Sequence, residues 1–382
     1  MKKFIKNLAL KIPYVRSKYE YIQQLSNSGM KYQSCDFLDS FGLIFRDSVD
    51  IENRFCTFCA EPKYADNISS FAPGIGFKTS VEETVNQLII KRANIISESV
   101  KYSILDKFPD IEERKYTSEC IKCANYRFIN GKSDNLIHYI NLSMPAPCPC
   151  KFFYCDARNA GLMNKGSCNE NYEKIFEAIN YLKRNNFVSK ECRWQISSGE
   201  IAIHPFKDQI FHLLNENDYS ITFHTNCFIF DEKIANVLSL NNKSCINLSI
   251  DSGTGETWFK IKGVNNFNIV MENLKKYYSY TAKENQITFK YIVLPGINDN
   301  NEDYKSVVNI MKKVKNNYLH IACDCRYKYT RTEKEREEII NASANLTAML
   351  IKNKMGYYIN ETYFLYDDIV RIKAKAKELL RK

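Results

Sequence analysis

Residues 137–155 read IHYINLSMPAPCPCKFFYC, and the fold is inferred outward from this stretch. Its first part, residues 137–142, is a short apolar run, which predicts a buried β-strand. Three cysteines follow in one short loop, at Cys148, Cys150 and Cys155. Clustered cysteines in a chain without an export signal indicate metal binding or, less often, redox chemistry rather than disulfides. The stretch therefore predicts a strand with a metal-binding loop at its carboxyl end.

Strands and helices alternate from residue 134 onward. Apolar runs predict six strands, at residues 137–142, 194–197, 220–224, 245–250, 287–294 and 319–323. Helical spacing of apolar residues predicts helices at residues 172–182, 207–214, 231–238, 267–274 and 307–314. A capping box, Thr332-x-x-Glu335, begins a further helix that ends at Gly356. The alternation predicts parallel strands joined by right-handed crossovers, in either an open doubly wound sheet or an incomplete barrel.

Polar residues and glycines follow the predicted strands at the point where each strand ends. They are Ser198, Gly199 and Glu200 after the second strand, Thr225 and Asn226 after the third, residues 249–254 after the fourth and residues 295–299 after the fifth. Ligands of parallel α/β folds bind beyond the carboxyl ends of the strands. These residues are therefore expected to form one site together with the cysteine loop.

Three thiolates in one loop suit an iron–sulfur cluster better than zinc. A structural zinc ion is held by four protein ligands, whereas a 4Fe–4S cluster held by three thiolates leaves one iron for an outside ligand. The alternative is that Cys148, Cys150 and Cys155 supply part of a zinc site that is completed elsewhere in the chain.

The cysteine loop resembles that of the radical S-adenosylmethionine (radical SAM) superfamily, and the resemblance extends over residues 134–326. The family's triplet usually reads C-x-x-x-C-x-x-C with an aromatic residue before the last cysteine. Cys148 matches the first cysteine and Tyr154 the aromatic residue before Cys155. Phe152 occupies the usual middle position, and Cys150 lies two residues earlier.

Three further stretches are similar to family motifs. The sequence Ser198-Gly199-Glu200 resembles the glycine-glycine-glutamate motif that holds the methionyl amino group. Residues 247–263 are similar to the fourth strand and the loop after it, with Lys262 in place of the usual arginine. Residues 291–299 are similar to the fifth strand and its ribose-side loop. The resemblance thus implies a set of cofactor-binding residues: Tyr154, Ser198, Gly199, Glu200, Asn226, Ser249, Asp251, Lys262 and Asn298.

The resemblance also implies the fold and the chemistry. The fold expected is a partial (β/α)6 TIM-like barrel, and the cofactors expected are a 4Fe–4S cluster on Cys148, Cys150 and Cys155 and S-adenosylmethionine. Reductive cleavage of S-adenosylmethionine would give a 5′-deoxyadenosyl radical that abstracts hydrogen from an unidentified substrate, a peptide or protein or a small metabolite such as a sugar. An electron donor such as flavodoxin or ferredoxin is the expected partner.

Two cysteine pairs precede this core, Cys56-x-x-Cys59 and Cys120-x-x-Cys123. Four thiolates in two knuckles can bind zinc or a second 4Fe–4S cluster, and the two possibilities stay open. The stretch resembles a SPASM-type auxiliary cluster domain. The predicted domains are therefore a small Cys-rich α+β module at residues 1–126, the core at 127–330 and a C-terminal helical extension at 331–382.

Composition limits the remaining classes of function. The chain has 382 residues and a formal net charge of +10, and no apolar run is long enough to span a membrane. No secretory signal is recognised, so a cytoplasmic location is expected. Lysines are scattered and no aromatic-basic repeat occurs, so nucleic acid is not expected as a partner. The alternatives to an enzyme are a metal-binding module that docks nucleic acid and an iron–sulfur electron carrier.

Overall fold

The computed structural model describes part of the chain and divides the chain into two compact units. The described residues are 31–35, 42–46, 56–57, 126–130, 136–144, 147–155, 169–197, 199–214, 219–324, 330–360 and 363–381. The first unit comprises Met1–Ile44, Asp50–Tyr139 and Glu177–Ser189. The second comprises Phe45–Val49, Ile140–Phe176 and Lys190–Lys382.

The first unit contains a small antiparallel sheet. Strand β1 (Lys31–Cys35) pairs with β4 (Tyr126–Asn130), with Lys31 opposite Asn130. Strands β2 (Gly42–Arg46) and β3 (Cys56–Thr57) lie between them in sequence. Cys56 is on β3, whereas Cys59, Cys120 and Cys123 lie outside the described residues. The auxiliary module and the predicted domain boundaries stay predictions.

The second unit is built from alternating strands and helices. The strands are β5 (Ile137–Ser143), β6 (Val188–Ser197), β7 (Ser220–His224), β8 (Cys245–Ser249), β9 (Ile287–Val293), β10 (Tyr318–Cys323) and β11 (Gly356–Ile359). The helices are α1 (Asn169–Arg184), α2 (Lys207–Leu214), α3 (Glu232–Leu240), α4 (Gly255–Lys262), α5 (Phe267–Tyr280), α6 (Asn301–Lys313), α7 (Glu333–Lys352) and α8 (Tyr366–Leu379). The first residues of β5 and β6 and the second half of α1 belong to the segments of the first unit. The predicted α/β fold is confirmed, and the capping box of Thr332 and Glu335 is present at the start of α7.

Strand order distinguishes the two architectures that the sequence left open. From β5 to β11 the strands lie side by side in chain order, and β6 to β11 pair in parallel, each with the next. A doubly wound sheet reverses its strand order at a switch point, whereas a βα barrel adds each strand to the same side. The second unit therefore has the arrangement of a partial barrel.

Several elements differ from the sequence prediction: α7 ends at Lys352 rather than at Gly356, α6 begins at Asn301 and α5 extends to Tyr280. Strand β6 begins at Val188 rather than 194, because its exposed Lys190 and Glu191 interrupt the apolar pattern. Helix α4 was read as part of a loop, although Thr254 caps it by accepting a hydrogen bond from the Thr257 amide. Strand β11 was not predicted: it has four residues and is held by parallel pairing with β10, which no local pattern shows.

The two faces of the parallel sheet differ in polarity. On the outer face, aromatic strand residues pack against helices: Phe223 stacks on Phe211 of α2 at 5.5 Å, and Tyr291 meets Tyr304 of α6 at 5.9 Å. Because strand side chains alternate between faces, their neighbours Thr222, His224 and Lys290 lie on the inner face. Among the described residues, no helix combines the length and the apolar character needed to cross a bilayer.

Candidate active site

A cavity of about 280 Å³ lies at the carboxyl ends of the parallel strands. Of the residues predicted from sequence, those that line it are Cys148, Tyr154, Cys155, Gly199, Asn226, Ser249 and Lys262. Four others are buried: Cys150, Glu200, Asp251 and Asn298. Ser198 lies outside the described residues. The structure thus brings residues from the ends of β6, β7 and β8 to the same cavity as the cysteine loop.

The cysteine loop presents two thiols to the cavity. Cys148 and Cys155 line the wall, whereas Cys150 is only 1% exposed. Contact with the Cys148 thiol, together with burial, raises the pKa of Cys150 far above its usual range. The donor chemistry fits an iron–sulfur cluster, since thiolates are its ligands. Within the described ranges, however, no three His, Cys, Asp or Glu side chains stand at metal-binding spacing, so the middle ligand is not fixed by this arrangement.

A buried carboxylate anchors the cysteine loop. The Tyr154 hydroxyl donates a hydrogen bond to Oδ2 of Asp251, and Lys262 Nζ lies 2.5 Å from the same oxygen. Burial first, and then Asp251, raises the pKa of Tyr154 well above its usual range, so the phenol keeps its proton and donates. The loop backbone is tied to the same place, because the Lys151 amide donates to the Lys262 carbonyl at 2.7 Å.

The Lys262 ammonium group is surrounded by aromatic rings as well as by its carboxylate partner. It lies 5.0 Å from the ring centre of Phe152 and 5.4 Å from that of Trp258. Rings attract a cation through the negative charge of their faces. Gly263, which ends α4 with φ +66°, allows the close approach, since an added Cβ would lie 3.0 Å from Lys151 Cβ. Phe152, at the position where the radical SAM motif usually has its middle cysteine, thus packs against Lys262.

Glu200 is a fully buried carboxylate behind the cavity wall. It accepts hydrogen bonds from the Thr225 hydroxyl at 2.8 Å, the Asn226 amide at 2.8 Å and the Ala202 amide at 3.2 Å. Burial raises the pKa of Glu200 to about 7, although these three hydrogen bonds oppose the shift. The Glu200 backbone amide donates in turn to the carbonyl of Pro147 at 3.3 Å, so the end of β6 is joined to the cysteine loop.

Asn226 connects the end of β7 to the Cys148 thiol. Its Nδ2 group donates to Cys148 Sγ at 3.5 Å, and its Oδ1 accepts from the Phe228 amide at 2.8 Å. The backbone amide of Asn226 is held by Glu200. Glu200, Asn226 and Cys148 therefore form one chain of hydrogen bonds.

Buried polar groups fix the residues that follow strands β8 and β9. The Ile292 amide donates to Asp251 Oδ1 at 2.7 Å, and Asn298 Nδ2 donates to the carbonyls of Asp251 and Ile292, both at 2.8 Å. Asp303, which sequence reasoning missed, accepts hydrogen bonds from the amides of Gly253 and Thr254. Only glycine fits at position 253, where a Cβ would lie 2.3 Å from the Asp303 carbonyl oxygen. The spacing Asn300-x-x-Asp303 at a helix start was the available signal.

The deeper wall of the cavity was also missed from sequence. It includes His224, Asn247 and Lys290, which come from the inner faces of β7, β8 and β9. Gln195 Nε2 lies 2.8 Å from His224 Nε2. The alternation of polar with apolar residues inside these strands was the signal that could have identified a polar interior.

Comparison with known proteins gives a family match and distant structural neighbours. Residues 154–308 match the model of the Radical SAM superfamily. SuiB from Streptococcus suis bound to S-adenosylmethionine has 13% identity and a TM-score of 0.41, over 73% of this chain and 61% of that chain. A radical SAM methyltransferase from Sphaerobacter thermophilus has 11% identity and a TM-score of 0.38, over 60% of this chain and 66% of that chain.

The extent of these matches is partial. The chain spans 61% of the length of the SuiB structure, and no curated protein matches it significantly by sequence. The family match begins at Tyr154, so it includes Cys155 but not Cys148 or Cys150. By sequence, residues 154–308 of this chain carry the pattern of the Radical SAM superfamily.

Proposed function

We propose that this chain is a radical SAM enzyme that acts on a substrate bound in the strand-end cavity. The observation that carries the proposal is the position of Cys148 and Cys155, two thiols on the wall of a cavity at the carboxyl ends of parallel strands. The family match over residues 154–308 supports it independently. Tyr154, Asp251 and Lys262 add rigidity, because they fix the loop that bears the thiols.

Cys148 and Cys155 would hold a 4Fe–4S cluster, and Cys150 is the proposed third ligand. A bound cluster supplies the one-electron reduction that splits S-adenosylmethionine into methionine and a 5′-deoxyadenosyl radical. Asn226 Nδ2 donates to Cys148 Sγ, and a hydrogen bond to a ligand sulfur raises the reduction potential of a cluster.

Glu200 is the proposed partner of the ammonium group of S-adenosylmethionine. A carboxylate suits an ammonium group because hydrogen bonds between charged partners are stronger than neutral ones. Glu200 Oε2 accepts one hydrogen bond, from the Asn226 amide, whereas Oε1 accepts two. We therefore expect Oε2 to take the additional bond. The same carboxylate positions Asn226 and, through it, the Cys148 thiol.

The remaining parts of the proposal concern residues and partners beyond the cavity. Cys56, Cys59, Cys120 and Cys123 are proposed to hold a second 4Fe–4S cluster or zinc. A flavodoxin or ferredoxin in the cytoplasm is the proposed electron donor. The reacting substrate is a peptide or protein or a small metabolite.

Anaerobic reconstitution with iron and sulfide tests this function. We expect about four irons to load on the core, beyond any metal of the first unit, and to give a spin-resonance spectrum after reduction. The spectrum is expected to change when S-adenosylmethionine is added. A cluster whose spectrum ignores S-adenosylmethionine would indicate an electron carrier, and a failure of the core to load iron would contradict the proposal.

A further inference from the structure

We infer that the deep part of the cavity binds an oxyanion of the substrate, a carboxylate or a phosphate group, against Lys290. The inference rests on the proposed function and names the substrate class of that site. It is carried by the inner faces of strands β7 to β9, which present polar side chains to the cavity where a barrel interior is usually filled by branched apolar residues.

The polar side chains form a row across the sheet that steps by two residues along β8, from Asn247 to Ser249. His224 is paired in register with Asn247, Ser249 with Lys290, and Lys290 with His320. His224, Asn247, Ser249 and Lys290 line the same cavity as the thiols of the cysteine loop. His224 has Gln195 as a partner, whereas Asn247 Oδ1 has no donor among the described residues. Burying polar groups without partners costs free energy, so this part of the row indicates a ligand.

Lys290 supplies the positive charge of this row. Its contact is with a ring, since Nζ lies 5.6 Å from the ring centre of Tyr363. Among the described residues, Lys262 and Lys207 have buried carboxylate partners, and no carboxylate is paired with Lys290. Asp324 lines the same cavity, and no ion pair joins it to Lys290 in the part of the chain that the structure describes.

The two histidines near Lys290 do not add to its charge near pH 7. Burial first, and then the charges of Lys290 and His320, lowers the pKa of His224 to about 3. Burial and then Lys290 also lower the pKa of His320. Both imidazoles are neutral at neutral pH, so beside Lys290 they offer an anion neutral hydrogen-bonding groups.

Asn247 indicates what lies next to the oxyanion. Its Oδ1 atom is buried and has no hydrogen-bond donor among the described residues. An unsatisfied buried acceptor is destabilising. A hydroxyl or amino group on the ligand would supply the donor after a rotation of the amide. The ligand class is thus an oxyanion flanked by a hydroxyl or amine.

Equilibrium dialysis of the reconstituted full-length protein tests the inference, with labelled inorganic phosphate and labelled acetate as the probes. We expect one saturable site for at least one probe in the wild type. Lys290→Met should weaken that site about 10- to 100-fold, and Lys290→Arg, which keeps the charge, should restore most of the affinity. Binding of phosphate alone would indicate a phosphate ester, and binding of acetate alone a carboxylate.

Lys276→Met is the matched control. Lys276 also lies over a ring, with Nζ 5.9 Å from that of Phe230, but on the exposed face of α5 outside the cavity. The Lys276→Met protein should bind phosphate and acetate with the same affinities as the wild type. An absence of saturable binding in the wild type, or equal binding by Lys290→Met, would overturn the inference.

A parallel titration with S-adenosylmethionine separates the inference from the proposed function. We expect Lys290→Met to keep the wild-type affinity for the cofactor. If the cofactor affinity falls with that for the probes, Lys290 holds the cofactor's own carboxylate, and the inference is overturned while the function stands. If wild-type protein binds the probes but not S-adenosylmethionine, the proposed function fails and the anion site stands.

Discussion

The Nζ atom of Lys262 lies 2.5 Å from Oδ2 of Asp251, and the two side chains are 3% and 0% exposed. Tyr154, from the cysteine loop, donates to the same carboxylate. One buried ion pair therefore joins the end of β8, the end of α4 and the loop that bears the thiols. The position of the proposed metal ligands depends on this pair.

Replacing Lys262 by Met should strongly destabilise the fold. The change leaves the Asp251 carboxylate buried without its cation, and breaking such a pair by removing one partner typically costs about 3–5 kcal/mol. The measurement is the free energy of unfolding in denaturant. The control is Lys260→Met, because Lys260 pairs with Glu256 at 2.7 Å with both side chains exposed, and this loss should be small. Equal effects of the two changes would contradict the anchoring role.

Replacing Cys148, Cys150 or Cys155 by Ala should abolish cluster loading on the core and cleavage of S-adenosylmethionine. The reason is that three thiolates from this loop are the proposed ligands. Cys192→Ala is the control, since Cys192 is buried in β6 and does not line the cavity. Iron content and visible absorption are the measurements. Full cleavage by Cys150→Ala would show that the middle ligand is another group.

Replacing Glu200 by Gln should weaken S-adenosylmethionine binding and flatten the dependence of stability on pH. A charged hydrogen bond contributes about 1.5–3 kcal/mol, so affinity should fall about 10- to 100-fold, measured by calorimetry. Unchanged affinity would remove Glu200 from the site.

The pH effect follows from the raised pKa of Glu200, which moves from 4.5 to about 7. The folded protein holds this proton more tightly than the unfolded chain does. The resulting stability is fully present below pH 4.5 and is lost as the pH rises through about 7. The loss is on the order of 3 kcal/mol in the wild type and absent in Glu200→Gln. Denaturant unfolding at pH 4.5 and pH 7.5 measures this loss. An equal change in the free energy of unfolding between the two pH values for both proteins would contradict the assignment.

Replacing Cys56 and Cys59 together by Ala should leave the core able to load its cluster. The proposed ligands of the core all lie in one short loop and take nothing from the first unit. Stability should still fall, because metal binding contributes folding free energy in small metal modules. Metal analysis gives the identity: a loss of about four irons indicates a cluster, and of about one zinc a structural ion. An unchanged content of both iron and zinc would show that these cysteines bind no metal.

Local sequence patterns predicted the parts of this structure that depend on neighbouring residues. The βα alternation, the cysteine loop and the polar strand ends all have such patterns, and the structure brings Cys148, Gly199 and Asn226 to one cavity. Asp251 and Lys262 were expected at the cofactor. In the structure they contact each other and Tyr154. Tyr154 and Asp251 are 97 residues apart in sequence, so no local pattern shows their contact.

Lys290 and strand β11 show the same limit. Lys290 lies inside a run that reads as an apolar strand, and its place beside His320 depends on the pairing of β9 with β10. Strand β11 forms because β10 offers an edge to it. In both cases the deciding information is the register between strands, which is absent from either segment alone.

The most direct test of the central claim is product analysis after anaerobic reduction. Reconstituted protein is incubated with S-adenosylmethionine and dithionite, and 5′-deoxyadenosine and methionine are quantified by chromatography. The proposed function predicts that the two products appear in equal amounts and that the Cys148→Ala and Cys155→Ala proteins form neither. A wild-type protein that binds S-adenosylmethionine and its cluster but forms no 5′-deoxyadenosine would contradict it.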